Sequence, residues 1–364
     1  MSVVDEIAAF PISARAAPGA NAVRLWLWGV AALIFAMVLV GGATRLTESG
    51  LSITQWKPIT GIVPPLSGAD WQAAFDAYKQ IPQYALLFPD MTLDGFKTIF
   101  LWEWSHRLLA RLIGVAFIVP ALWFWRGGAL RGNLGRNVLV ATGLLALEPI
   151  VGWWMVASGL AERTEVSQVR LAIHLIIAAA TFAALVWAAT GLRARRETAP
   201  RRVALTARLI ALAVFCQIGL GALVAGLRAG LIYNTWPLMN GAWIPGDAFG
   251  AAPWWRSLYD DAATAQFDHR LLAYAIVALA LWHGFDASRL APASAAARRA
   301  RVVAGLALAQ AALGITALLL AVPIWAGLAH QALAFALLGM AVAHARASAV
   351  TPLGLTPAPR PDRR

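Results

Sequence analysis

Eight apolar stretches of about 20 residues each run through this chain of 364 residues, and a stretch of that length crosses a bilayer as a helix. They lie at roughly 25–43, 104–125, 138–156, 170–190, 205–226, 268–288, 302–321 and 323–344. Sixty per cent of the residues are hydrophobic and 13% are charged, about half the charged share of a soluble domain. Mean hydropathy is +0.66. The fold class is therefore an all-α polytopic membrane protein. The first apolar run exceeds a signal-peptide h-region, so it is read as an uncleaved span. Residues 1–22 carry Asp5 and Glu6, which a mitochondrial transit peptide would lack, and are read as a bacterial cytoplasmic tail. The single cysteine, Cys216, excludes an intrachain disulfide and cysteine-ligated metal clusters.

The net charge of +12 looks at first like a nucleic-acid signal, but the arginines are placed by topology. Arg126, Arg131 and Arg136 follow span 2. Arg193, Arg195, Arg196, Arg201, Arg202 and Arg208 follow span 4. Arg289, Arg298, Arg299 and Arg301 follow span 6, and Arg346, Arg360, Arg363 and Arg364 follow span 8. With eight spans all of these fall on one side, which the positive-inside rule makes cytoplasmic. Both termini are then cytoplasmic and nucleic acid is no partner. The long loops after spans 1 and 5 face outward, and their Trp, Pro and Gly content suits ordered caps.

Those two loops match each other. Gly50-Leu-Ser-Ile-Thr-Gln-Trp56 and its following Gly61 align without a gap with Gly230-Leu-Ile-Tyr-Asn-Thr-Trp236 and Gly241. His106-Arg-Leu-Leu-Ala110 then recurs unchanged as His269-Arg-Leu-Leu-Ala273, and each half ends on a further histidine, His174 and His330. Spans 1–4 and 5–8 are duplicates. Four is even, so the halves share one orientation, and a pseudo-twofold axis runs along the membrane normal. The expected architecture is two pseudo-twofold-related four-helix bundles, residues 23–190 and 205–345, joined by a cytoplasmic linker at 191–204 and followed by a cytoplasmic tail at 346–364.

His106, His174, His269 and His330 fall in the outer third of even-numbered spans, at similar depth. A pair of imidazoles from facing helices suits the two axial positions of a haem iron. Zinc wants four ligands, or three and a water, so a bare metal fits less well. Arg107 and Arg270 follow ligand candidates and match the geometry of haem propionates, or they snorkel to the interface. His283 and His344 have no counterparts and are read as structural. Glu103 shares a helix face with His106, whereas the matching residue before His269 is Gln266. A second substitution of this kind is Glu148, with Pro149 and Gly152 after it, where the other repeats read Gln217 with Gly221 and Gln310 with Gly314.

Glu103-x-x-His106-Arg107, His269-Arg270, His174, His330-Gln331 and the Asn234-Thr-Trp-Pro237 loop together resemble the haem A synthase family, most closely the type from bacteria related to the mitochondrial ancestor. The resemblance runs from about Gly41 to His344. It implies oxidation of the C8 methyl of haem O to a formyl group, giving haem A for cytochrome oxidase, in a bacterial inner membrane. It also implies haem b between His269 and His330, the substrate haem between His106 and His174, and Glu103 in the chemistry. An upstream partner implied in the same way is the farnesylating haem O synthase, and an electron donor is needed. Some relatives carry a cysteine pair in an outer loop, and this chain departs from them. One rival reading is a diheme b-type electron-transfer subunit without chemistry of its own, which predicts two similar His pairs and no carboxylate beside either. Another is a transporter, which predicts polar groups or broken helices near the midplane. Besides lipid and haem, the sequence leaves monomer and homo-oligomer equally open.

Overall fold

A computed structural model describes residues 19–161, 163–192 and 197–350. The expected tail before Gly19, Arg193, Arg195 and Arg196 of the central loop, and Arg360, Arg363 and Arg364 lie outside the described residues. In chain order the helices are α1 (Ala20–Leu46), α2 (Gly68–Tyr78), α3 (Pro82–Leu87), α4 (Leu93–Arg126), α5 (Gly132–Ala157) and α6 (Gln168–Gly191). They continue as α7 (Arg201–Gly226), α8 (Ser257–Asp260), α9 (Ala262–Leu290), α10 (Ala295–Leu319) and α11 (Ile324–Ala347). Eight of them, α1, α4–α7 and α9–α11, are long and apolar enough to cross a membrane, so this is a multi-pass membrane protein.

In the second half α7, α9, α10 and α11 pack in a closed ring, each against the next. In the first half α1 packs on α4, α5 on α6 and α6 on α1, but α4 and α5 meet at few positions. The halves join where α6 lies against α7 and α11, and α11 against α1. Their buried side chains form one continuous core, with the Phe182 and Phe335 rings 5.6 Å apart at the junction of α6 and α11. Lipid exerts no hydrophobic drive between helices, so close backbone approach through small residues carries this packing. Ala179 and Ala189 on α6 and Ala297 and Ala300 on α10 are fully buried.

Span 2 was expected to begin near 104, yet α4 begins at Leu93. Its first three turns lie outside the apolar span and close a separate aromatic core. Phe96 and Phe100 pack there with Phe75 and Tyr78 of α2, Leu51 and Ile81. Taking each such side chain out of water contributes roughly 1.5–3 kcal/mol. A capping box starts α2, with Ser67 Oγ accepting from the Asp70 N–H and Asp70 accepting from the Ser67 N–H. The outer loop after span 1 is therefore a folded cap. At the seam between the caps Arg45 pairs with Glu165 at 2.6 Å. Arg228 pairs with both Glu165 and Glu48. Glu48 and Arg228 occupy matching positions in the repeat, so the duplication joins to itself here.

At the opposite end, β1 (Glu197–Ala199) pairs in parallel with β2 (Ser348–Val350). Three residues per strand left no pattern in the sequence. The turn between α10 and α11 places Ala321 and Val322 at positive φ, and Pro323 caps α11. His283 and His344, each expected to be structural, meet Nε2 to Nε2 at 2.9 Å. Thr206 Oγ1 lies 2.7 Å from Nδ1 of His283.

Candidate functional site: two histidine pairs

Each of the four repeated histidines lies over a glycine of a neighbouring helix. A Cβ placed on Gly41 of α1 would stand 3.0 Å from Nε2 of His106. One on Gly221 of α7 would stand 3.1 Å from Cε1 of His269. On Gly152 of α5 it would be 3.3 Å from His174, and on Gly314 of α10 2.7 Å from His330. Gly41 and Gly221 are repeat counterparts, as are Gly152 and Gly314. The Gly41 cradle was not anticipated, although its match to Gly221 in the aligned halves is a signal the sequence holds.

One turn before three of these glycines stands a polar residue aimed at the ring. The Gln217 amide nitrogen lies 3.0 Å from Nδ1 and 3.3 Å from Nε2 of His269, and donates to that residue's backbone carbonyl at 2.8 Å. Gln310 does the same to His330, at 3.2 Å, 3.4 Å and 3.0 Å. Glu148 Oε2 lies 2.7 Å from Nδ1 of His174, in contact but without the alignment of a hydrogen bond. The fourth position is Met37, whose thioether is at most a weak acceptor.

The ring centres of His269 and His330 are 6.4 Å apart, with the ring planes inclined at 70°. Two metal–imidazole bonds of about 2 Å each, plus the two ring radii, leave centres about 6 Å apart. The second pair thus fits one iron between two imidazoles. Oε1 of Gln217 and Oε1 of Gln310, on the two glutamines beside these rings, and Nε of Arg270, next to His269 in the chain, are buried without partners. Among the described residues no group of three or more His, Cys, Asp or Glu gathers as a metal site.

The arginines were expected to face haem propionates or to snorkel to the interface. Most of their donors instead hold the outer loops. Arg107 donates to the backbone carbonyls of Ile53 and Gln55 at 3.0 and 3.1 Å, and to Glu103 at 2.6 Å. Arg270 donates to the carbonyls of Tyr233 and Thr235 at 2.8 and 3.0 Å, and to Gln266 at 2.8 Å. The two clamps are repeat images of one another. Glu103 is buried, 3% exposed, and its second oxygen accepts from Ser52 Oγ and the Ile53 N–H, both at 2.7 Å. Gln266 instead donates to the Ala229 carbonyl at 2.6 Å. The carboxylate and the amide therefore share a position but not a hydrogen-bond pattern, and only the first carries charge.

A model of the cytochrome oxidase assembly protein family, COX15-CtaA, matches residues 24–342. The chain belongs to that family. It is similar to the heme A synthase of Beijerinckia indica, 53% identical over 354 residues that cover 95% of this chain and 99% of that protein. The heme A synthase of Methylobacterium sp. strain 4-46 is 57% identical over 330 residues, 89% of this chain and 91% of its own. That of Rhodopseudomonas palustris strain BisB18 is 59% identical over 326 residues, 88% and 89%. The family match spans both halves of the duplication.

Proposed function

We propose that this protein oxidises the C8 methyl group of haem O to a formyl group, giving haem A for cytochrome oxidase. One observation carries the assignment of parts: the second half lines its histidine pair with amides, Gln217, Gln266 and Gln310, whereas the first half has Glu103 and Glu148 at two of the matching positions. Amides are neutral and suit a resident haem b that passes electrons. Carboxylates suit a site where protons and charge move. A bare diheme electron-transfer subunit has no need of this difference, and family membership also speaks against it.

On this reading residues 23–190 form the substrate-haem half and 205–345 the haem b half. His269 and His330 would hold haem b, and His106 and His174 the substrate haem. Haem iron supplies the oxidising reactivity. The protein's own groups do the rest. Gln217 and Gln310 donate to the backbone carbonyls of His269 and His330 and so hold the two ligand residues in place. Arg107 and Arg270 close the outer loops over the pairs and exclude water. Nε of Arg270, buried without a partner, is the donor left for a propionate. Glu103, one turn outward of His106 and held by Arg107, would stabilise positive charge developing at the methyl carbon.

On this reading the membrane is a bacterial inner membrane and both termini are cytoplasmic, which the arginine-rich ends of the spans support through the positive-inside rule. A haem O synthase and an electron donor are the partners this role requires. Pigment extraction tests the assignment: the purified protein should yield haem b together with haem O or haem A. A colourless protein would refute it.

A further inference from the structure

The halves differ most where α4 and α5 should meet. Their counterparts α9 and α10 pack along a seam of small residues. A Cβ on Gly284 of α9 would stand 3.4 Å from the Cβ of Ala304 and 3.6 Å from the Ala300 carbonyl of α10. Ala280 and Ala287 on the same face of α9 are fully buried. At the matching positions the first half has Ala121 for Gly284, Val138 for Ala300 and Thr142 for Ala304. Phe117 and Phe124 replace Ala280 and Ala287, and both turn to Trp26 of α1, with ring centres 5.3 and 5.4 Å away. Bulk has replaced every small residue named in the seam, and close backbone approach is lost.

A connection of five residues, Gly127–Arg131, ties one end of α4 to α5, and the two helices otherwise meet at few positions. Beyond it each presents apolar side chains outward: Val115 and Val119 on α4, Leu147 and Ile150 on α5, between 45% and 61% exposed. These two helices also carry the internal prolines, Pro120 and Pro149, and the other spanning helices have none. Proline removes a ladder hydrogen bond and lets a helix bend there. His106 stands on α4, and Glu148 and Gly152 against His174 stand on α5. The gap therefore leads to the first histidine pair.

We infer that the first half has a lateral, lipid-facing mouth between α4 and α5, through which a haem bearing a long isoprenoid tail enters and leaves. The second half, closed by the α9–α10 seam, retains its haem. The inference rests on the assignment of the substrate haem to the first half. It explains how two near-identical ligand sets treat one haem as substrate and the other as cofactor. The tail stays in lipid while the porphyrin slides between the helices, so neither is exposed to water.

The test ties the mouth shut. In a Cys216→Ser background, Leu112→Cys on α4 and Leu147→Cys on α5 are joined by a reducible bis-thiol cross-linker, with the protein in lipid nanodiscs. Haem O is supplied in liposomes without an electron donor, and bound haem O per protein is read by pigment extraction. Cross-linking should lower uptake at least tenfold, reduction should restore it, and haem b content should not change. The same cross-link at the matching Ala275 and Ala309 should leave uptake unaltered. Protein filled with haem O before cross-linking should keep it when challenged with empty liposomes. Full uptake by the cross-linked protein would overturn the mouth, provided the uncross-linked protein takes up haem O. Failure of that uncross-linked control would instead remove the substrate assignment and the mouth with it. If the first cysteine pair does not fold, Ile118→Cys with Val140→Cys asks the same question one step deeper.

Discussion

Glu148 Oε2 lies 2.7 Å from Nδ1 of His174, at the position where the second half sets Gln310 against His330. A carboxylate that accepts the Nδ1 proton would make the imidazole a stronger electron donor and leave Nε2 for iron. Glu148→Gln should keep the fold and both haems, because the amide already serves this position elsewhere in the chain. Glu148→Leu should weaken binding of the substrate haem by about 10–100-fold, the usual loss when a ligand's partner is removed. Haem O titration followed by absorbance checks both. Full turnover by Glu148→Gln would eliminate any proton relay through this residue.

The glycine cradles give a prediction that needs no change of ligand. In Gly314→Ala the new Cβ would stand 2.7 Å from Cε1 of His330, closer than real contacts allow. A ring held by iron cannot swing away freely, so the variant must strain the pair. Overpacking costs typically about 1–3 kcal/mol, or roughly 5–150-fold in haem affinity. The low-spin spectrum should weaken accordingly. Gly305→Ala on the same helix meets nothing within 4 Å and should leave the spectrum intact.

His269→Ala or His330→Ala should each abolish the six-coordinate, low-spin haem b spectrum, because one axial position opens. The closed α9–α10 seam lies away from both residues, so the protein should still insert and fold. An unchanged reduced spectrum in both variants would remove haem b from this pair.

Eight spans, their duplication and the paired histidines are legible in the sequence because each follows from hydropathy or from verbatim repetition. His106-Arg-Leu-Leu-Ala110 and its copy fix the alignment of the halves, and the alignment exposes Glu103 against Gln266. What was hidden depends on neighbours in space. The early start of α4 at Leu93 follows from packing on α2, which hydropathy does not register. The loop clamps of Arg107 and Arg270 use backbone carbonyls, which every residue offers alike. The gap between α4 and α5 is silent in hydropathy, since Val138 and Ala300 are both apolar. It appears only when size is compared at matching positions.

Glu103 gives the sharpest test. Its carboxylate holds three donors: Arg107, Ser52 Oγ and the Ile53 N–H. Part of its role is thus to lock the outer loop, and a purely structural account is available. Gln266 shows what that account predicts. In the second half an amide accepts from Arg270 and donates to the Ala229 carbonyl, and the loop there is held as well. Glu103→Gln should therefore leave the cap folded and haem b in place. It removes only the negative charge one turn outward of His106. If that charge stabilises the reacting methyl carbon, its loss should slow haem A formation by about 100-fold or more, the scale seen when one preorganised stabilising group is deleted. Haem O or a partly oxidised product should accumulate in extracts. Rapid loss of the aromatic cap, read as new protease sites between Ser67 and Leu87, would instead mark Glu103 as a loop anchor. Haem A formed at close to the wild-type rate would show that the difference between the two halves at this position is not catalytic.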